Sequence, residues 1–328
     1  MKIQKEKWIK ISGIGLSLAL LYLAIRGVKP ELVLETLRRL DIKMLFIPVF
    51  FVLIASFLSA AKWSKIVGYG VSVKETFVSL IIGLFINNVL PARIGEIVRA
   101  YVLAKKRAIP FSYSFSTVII DRFFDLVGLL LLVFVFFPRT GLPLWISKLL
   151  VGFVGFMVLG VIILISAGKD TVFSYIIEKI TKKGKKCSGK IVSRIREIHK
   201  NVRRINSPVS LAYISFISFF QWLCMSFSLY MVIKSFGISI NPFYVPFVCA
   251  FLNIGITLPS SPGYVGLYQF LLVYLLSIFD VPKHEGFSVS IIYHATWYFP
   301  YTFLGAIFFV SEHLGFKELY SLKDDKAT

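Results

Sequence analysis

Two apolar segments of this chain are interrupted in the same way. Asn87-Asn88-Val89-Leu90-Pro91-Ala92-Arg93-Ile94-Gly95-Glu96 and Asn253-Ile254-Gly255-Ile256-Thr257-Leu258-Pro259-Ser260-Ser261-Pro262-Gly263 each place Asn first, then Leu-Pro, then Gly four residues after the proline. A proline removes a backbone donor and a glycine loosens the chain, while hydrocarbon supplies no water for the groups set free. Such a break survives at membrane depth only where protein or a wet cavity surrounds it. Corresponding breaks in two halves of one chain point to a transporter-like binding site.

The surrounding sequence shows that membrane depth is the right frame. Hydrophobic residues make up 57% of the chain, Phe occurs 32 times and mean hydropathy is +0.78. Apolar stretches of spanning length recur at 8–27, 44–67, 113–137, 145–167, 209–233, 264–280 and 286–311, with shorter broken ones at 77–90 and 244–258. The fold class read from this pattern is an all-α polytopic membrane protein, with about seven full transmembrane helices. The two broken segments are expected to be re-entrant, and the two halves to form an inverted repeat. One integral membrane domain is expected over 1–328: an N-terminal anchor helix and loop at 1–40, a first repeat at 41–167, a basic loop at 168–207, a second repeat at 208–311 and a tail at 312–328.

Charge sets the orientation. Lys2, Lys5, Lys7 and Lys10 precede the first apolar run, which is long and lacks a small-residue cleavage site, so a retained anchor is expected rather than a signal peptide. Twelve Lys or Arg stand against three acids between Gly168 and Ser207. The N-terminus and this loop are therefore expected in the cytoplasm, in a multi-pass protein of the cell membrane. The spans between them must then be even in number, so 77–90 should enter and leave on one face. That choice also keeps Arg93, Arg99, Lys105, Lys106 and Arg107 on the cytoplasmic side. The same parity, counting 264–280 as a crossing, places the C-terminus outside. In the basic loop, Lys182, Lys183, Lys185 and Lys186 followed by Ile191, Ile195, Ile198 and Val202 also fit an amphipathic helix on an anionic leaflet. A basic loop between spans leaves no room for a nucleic-acid recognition fold, so no nucleic-acid partner is expected. Cys187, Cys224 and Cys249 lie too far apart to suggest a disulfide framework or a metal cluster. No nucleotide-binding loop is present, and no cofactor is expected.

Ionisable residues at membrane depth are costly and default to function. Those here are Arg93, Glu96, Arg99, Asp121, Arg122 and Asp125, with Asn87 and Asn88 at the mouth of the first break. Glu96 with Arg99, and Arg122 with Asp125, are three apart on a helix and share a face. Asp121 and Asp125 are four apart and of like sign, so a cation must face them, Arg93 or Arg99 by position. One reading makes these groups anchors that lock two helices together; the other makes Arg93 and Arg99 phosphate ligands held by the acids. The second break is uncharged: Ser260, Ser261, Tyr264, Tyr268 and Gln269 offer neutral hydrogen bonds, and Gly263 and Gly266 allow close backbone approach. A simple tight turn is its plainer reading. His294 in the last apolar run is either structural or a titrating, substrate-contacting group. Gly152, Gly155 and Gly160 give the 145–167 run a small-residue face for packing.

Three motifs carry a family resemblance: Leu90-Pro91-Ala92-Arg93-Ile94-Gly95-Glu96-Ile97-Val98-Arg99-Ala100, then Asp121-Arg122-Phe123-Phe124-Asp125, then Pro262-Gly263-Tyr264-Val265-Gly266-Leu267-Tyr268-Gln269. With them, over most of its length, the chain resembles the flippase-like transmembrane domain shared with the membrane portion of lysylphosphatidylglycerol synthases. It departs from that pattern where Asp121 replaces the usual Glu, where Gln269 stands at a common acid, and where His294 occupies a region that often carries Arg. The last two departures remove an acid and a base together, as expected for the loss of an ion pair. The resemblance implies translocation of a lipid between leaflets, with membrane lipids bearing anionic or phosphate head groups as partners. The aminoacyl transfer of those synthases belongs to a separate soluble domain, so this chain is not expected to perform it. Two further readings stay open: an accessory scaffold for a lipid-modifying or glycosyl-transferring membrane enzyme, docked through the 168–207 loop, and a lipid-acting enzyme using Glu96, Asp121 and Asp125 as acid or base.

Overall fold

A computed structural model describes residues 15, 17–90, 94–138, 144–167, 169–171, 174, 196, 199, 200, 202–257 and 261–315. Among them the regular structure is helical, without a strand. In hydrocarbon a helix satisfies every backbone group within its own segment, so an apolar chain of this kind has few alternatives. After a helix at 17–25 come α1 (Pro30–Arg38), α2 (Phe46–Val67), α3 (Val73–Val89), α4 (Gly95–Arg107), α5 (Phe111–Val135), α6 (Leu144–Ala167), α7 (Pro208–Ser235), α8 (Val245–Gly255), α9 (Leu267–Ser277) and α10 (Lys283–Ser311). Local signals fix several ends. Ser72 and Glu75 form a reciprocal capping box that starts α3, and the Ser207 hydroxyl accepts the Ser210 N–H before α7. α2 stops at Gly68, whose φ is +66°.

Length divides the helices into two classes. α2, α5, α6, α7 and α10 hold 22, 25, 24, 28 and 29 residues. At the helical rise the shortest extends about 33 Å, enough for a hydrocarbon core of about 30 Å. By length and composition together, Ile42–Val67 and Pro208–Ser235 qualify as candidate spans, with mean hydropathies of 2.5 and 1.7. Outward-facing side chains are apolar well beyond what water tolerates: Phe134 is 84% exposed, Phe46 75% and Val310 72%. α3, α4, α8 and α9 hold 17, 13, 11 and 11 residues. The longest of these reaches only about 25 Å.

These short helices form two hairpins. α3 and α4 cross with their backbones in contact, since a methyl added to Gly95 would lie 1.9 Å from the Gly83 carbonyl oxygen. The mouth of this hairpin is closed by an Arg107–Glu75 ion pair, and Arg107 also donates to the Gly70 carbonyl at 2.9 Å. α8 and α9 pack likewise, Gly255 lying against Leu271. Their mouth is closed by Tyr244 and Phe279, stacked at 4.5 Å. Thus 264–280, expected from sequence as a full span, is instead the return arm of a hairpin. Its apolar residues, among them Leu272 and Leu276 at 0% exposure, face other helices, and hydropathy cannot tell protein core from lipid.

The hairpins enter from opposite ends of the helix bundle. At one end the close of α2 meets the basic loop, Arg204 donating to the Lys65 carbonyl at 3.3 Å. The first mouth lies here, and so does the close of α10, because Glu312 pairs with Lys106. At the other end the Asp41 N–H, just before α2, donates to the last carbonyl of α7 at 2.8 Å. Phe136 at the end of α5 there packs on Phe243 at the start of the second hairpin, and Lys283 donates to the Leu23 and Arg26 carbonyls that end the first helix. α10 therefore closes at the basic end of the bundle, whereas counting 264–280 as a crossing would have closed it at the other. In α6, Gly160 seats Phe123 of α5, whereas Gly152 and Gly155 have nothing within 4 Å.

Candidate functional site

The tips of the two hairpins meet. A methyl on Gly263, which sits at φ +63°, would lie 2.7 Å from the Tyr298 ring and 3.5 Å from the Asn88 carbonyl oxygen. The Asn88 side-chain amide donates to the Tyr298 carbonyl at 3.2 Å and to Thr302 Oγ1 at 3.0 Å. Asn87 Oδ1 accepts the Gly95 N–H at 2.8 Å, so one asparagine of the pair starts the return helix and the other ties the tip to α10. A cavity of about 380 Å³ opens where the breaks converge. Glu96, Arg122 and Asp125 supply a charged part of its lining and Tyr264, Tyr268, Tyr293, Trp297 and Tyr301 an aromatic part; Gln221 and Trp222 of α7 also line it.

The charged part belongs to a closed ring of six alternating charges. Lys62 on α2 meets Asp121 at 3.1 Å and also pairs with Asp125. Asp121 meets Arg99 at 3.0 Å, Arg99 meets Glu96 at 2.9 Å, Glu96 meets Arg122 at 3.1 Å, and Arg122 meets Asp125 at 2.9 Å, which closes the ring. Three cations balance three acids, the condition under which buried charge is tolerable. Lys62, Asp121 and Arg99 are 0–1% exposed, whereas Arg122 is 39% exposed and turns toward the cavity. Arg99 also lies 4.7 Å from the centre of the Trp63 ring, and the Trp63 N–H donates to Thr117. The i,i+3 pairs read from sequence, Glu96 with Arg99 and Arg122 with Asp125, both form.

The cation facing Asp121 and Asp125 was expected to be Arg93 or Arg99. Arg99 does meet Asp121, but the side chain that bridges both acids is Lys62, which sequence reasoning missed. Its signal was a charge inside the 44–67 run, near enough to the end of that run to pass for an interfacial anchor. Arg93 and Ser260 lie outside the described residues, as do Pro91, Pro259, Cys187 and most of the basic loop.

The second break is assembled differently. Gln269 Oε1 accepts the Gly266 N–H at 2.7 Å, and its amide nitrogen donates to His294 Nδ1 at 2.9 Å. The two positions at which the chain departs from the family pattern are therefore direct partners, a neutral hydrogen bond joining them. The His294 ring lies 4.6 Å from that of Tyr268 and 4.7 Å from that of Trp297, behind the aromatic part of the lining. Ser261 turns away from the main cavity: its N–H donates to Ser17 Oγ at 2.9 Å, and it borders a separate apolar hollow with Leu18 and Leu21. Of the residues nominated from sequence, Asn87, Asn88, Glu96, Arg122, Asp125, Tyr264 and Tyr268 line the cavity; Arg99, Asp121, Gly263, Gln269 and His294 support it. Ser56, Ser59, Gln221, Trp222, Tyr293, Trp297 and Tyr301 were not foreseen, because single polar or aromatic residues in apolar helices carry no periodic signal. Among the described residues no group of three His, Cys, Asp or Glu side chains is arranged to hold a metal ion.

Comparison with known proteins bears on what this arrangement belongs to. The chain is 26% identical over 228 residues to the UPF0104 membrane protein MJ1078 of Methanocaldococcus jannaschii, a match covering 69% of this chain and 93% of that protein. It is 26% identical over 271 residues to MJ1595 of the same organism, covering 78% of this chain and 80% of the relative. A third similar protein, glycosyltransferase AglD of Haloferax volcanii, is 25% identical over 248 residues, which are 64% of this chain but 39% of that protein. No solved structure matches the chain. Residues 10–305 match the model of one membrane family, and with both broken motifs inside that range, the chain belongs to the family described as the lysylphosphatidylglycerol synthase TM region.

Proposed function

We propose that this protein moves a phospholipid or lipid-linked precursor between membrane leaflets. The observation that carries the reading is the cavity between the two hairpin tips, with the one outward-turned cation of the described ring, Arg122, beside it. A phosphate head group would meet Arg122, and Arg93 in the adjoining break on grounds of sequence, while acyl or prenyl tails stay in the bilayer. Arg99, Asp121 and Lys62 would hold Glu96 and Asp125 in position. The hairpins, entering from opposite ends and each too short to cross, support the re-entrant and inverted-repeat readings, in which rocking of one half against the other alternates access. The basic end is assigned to the cytoplasm of a cell-membrane protein, and the N-terminus, the 168–207 loop and the close of α10 share that side.

The test is translocation of fluorescent phospholipids and polyprenyl-phosphate analogues in liposomes reconstituted with the wild type and with Arg122→Ala. Translocation by the wild type that drops about 100-fold in the variant, as for loss of a charge-assisted contact of about 2–3 kcal/mol, supports the reading. Equal rates in both proteins sink it.

A second reading is favoured by one observation: only 39% of the glycosyltransferase AglD is matched, so this kind of domain also occurs joined to other sequence. The chain would then serve a lipid-modifying or glycosyl-transferring enzyme as an accessory, docked through its basic loop. Replacing Lys182, Lys183, Lys185 and Lys186 with Gln separates the two, since an accessory loses its partner in pull-down from membranes while an autonomous flippase keeps translocating.

A further inference from the structure

We propose that the loop 261–266 at the tip of the second hairpin is a gate between the cavity and the bilayer, strained while closed and pinned from outside by the first helix. The proposal rests on the translocation reading and names the part that moves.

The loop stands between two spaces. Tyr264 lines the main cavity, whereas Ser261, Pro262 and Val265 line the apolar hollow with Ser17, Leu18 and Leu21 of the first helix. Leu18 is 61% and Val265 46% exposed, so the hollow lies at the apolar outer surface, where lipid tails run. A lipid whose head group occupies the cavity while its tails stay in the bilayer would have to pass this partition, and displacing the loop joins the two spaces.

The closed loop is held against its own backbone preference. Gly263 and Gly266 sit at φ +63° and +89°, which glycine tolerates, but Tyr264 between them is at +62°, in the left-handed region that a side chain disfavours. Such a conformation persists only where the surroundings over-determine it. Within the loop the Tyr264 N–H donates to the Ser261 carbonyl at 3.0 Å, and the Ser261 hydroxyl donates to the Val265 carbonyl at 2.8 Å. From outside, Ser17 Oγ accepts the Ser261 N–H at 2.9 Å, and a methyl on Gly266 would lie 2.0 Å from the Ser17 carbonyl oxygen. The first helix is itself lightly held: Lys283 donates to its Leu23 and Arg26 carbonyls, while Tyr22, Leu23 and Ile25 are exposed. A strained loop pinned by a loosely packed helix is an element with two states. With Ser17 withdrawn, Tyr264 relaxes to ordinary backbone and the two glycines absorb the change.

The experiment measures translocation of fluorescent phospholipids and polyprenyl-phosphate analogues in liposomes, with two pairs of substitutions. Tyr264→Gly and Tyr264→Ala both remove the ring, but only alanine keeps a side chain in the left-handed region, which raises the closed state and not the open one. The alanine variant should therefore translocate about tenfold faster than the glycine variant. In Ser17→Cys combined with Ser261→Cys, joining the two thiols with a short bis-methanethiosulfonate should stop translocation, and dithiothreitol should restore it. The wild type, which carries Cys187, Cys224 and Cys249, takes the same reagents as the control. Where one pair fails, in folding judged by thermal melting or in linkage judged by mass spectrometry, the other decides. A glycine variant as fast as the alanine variant, or a linked protein as fast as the unlinked one, overturns the gate and leaves translocation standing. A wild type that translocates none of the probes overturns both.

Discussion

The two hairpins solve one backbone problem with opposite chemistry. Each enters the bundle from its own end, each is too short to cross, and each reverses at an Asn, Leu-Pro, Gly break. The first closes its mouth with the Glu75–Arg107 ion pair and feeds Glu96 and Arg99 into the six-charge ring. The second closes its mouth with stacked Tyr244 and Phe279 and joins Gln269 to His294 through a neutral hydrogen bond. Hairpin geometry is therefore a matter of short helices and tight glycine crossings, while charge is a separate choice made at one tip and declined at the other. The cavity inherits that asymmetry as a lining that is part charged and part aromatic.

The largest test of this contrast is Lys62→Met. Removing the lysine leaves Asp121 and Asp125 without the cation that bridges them, and the expected cost is about 3–5 kcal/mol, read by denaturant titration in micelles. A cost below about 1 kcal/mol, typical of an exposed pair, would mean that the ring is solvated and the contrast superficial. Next comes an attempt to make the second tip resemble the first. Gln269→Glu and His294→Arg singly bury a charge opposite a neutral partner and should each lower stability by about 1–3 kcal/mol. The double variant should recover more than half of the summed loss, because the two side chains touch. Strict additivity would show that the pair is not coupled.

The smallest effect lies at the first mouth, outside the membrane-spanning helices. Burial alone would raise the Glu75 carboxyl, but hydrogen bonds from Arg107 and Ser72 outweigh it and hold it at about 2, below the ordinary 4.5. A depressed carboxylate stabilises the fold above its unfolded value, and that contribution disappears as pH falls from 4.5 toward 2. With Arg107 34% exposed, solvent screens the pair, and Glu75→Gln should cost only about 0.5–1 kcal/mol at neutral pH. The difference should shrink in high salt and at acid pH, whereas Tyr244→Leu at the second mouth should respond to neither.

Much of this was legible in the chain itself. The paired breaks, the spanning length of five apolar runs and the i,i+3 pairings of Glu96 with Arg99 and Arg122 with Asp125 follow from short-range rules that depend on residue type and spacing alone. The relation of Gln269 to His294 was visible as two departures that compensate, before their contact at 2.9 Å was seen. Lys62 was not legible as the partner of Asp121 and Asp125, since it lies on another helix and nothing along the sequence connects it with them.

The sequence by itself determined the solvent, the helical class and the places where backbone must be sheltered, because each is dictated by the cost of leaving peptide groups unsatisfied in hydrocarbon. Tertiary structure decided which apolar residues face protein and which face lipid, and so turned 264–280 from a span into the arm of a hairpin. It also decided which of the charged side chains reach the cavity. Hydropathy assigns every apolar residue the same preference for leaving water, and only packing determines where that residue goes.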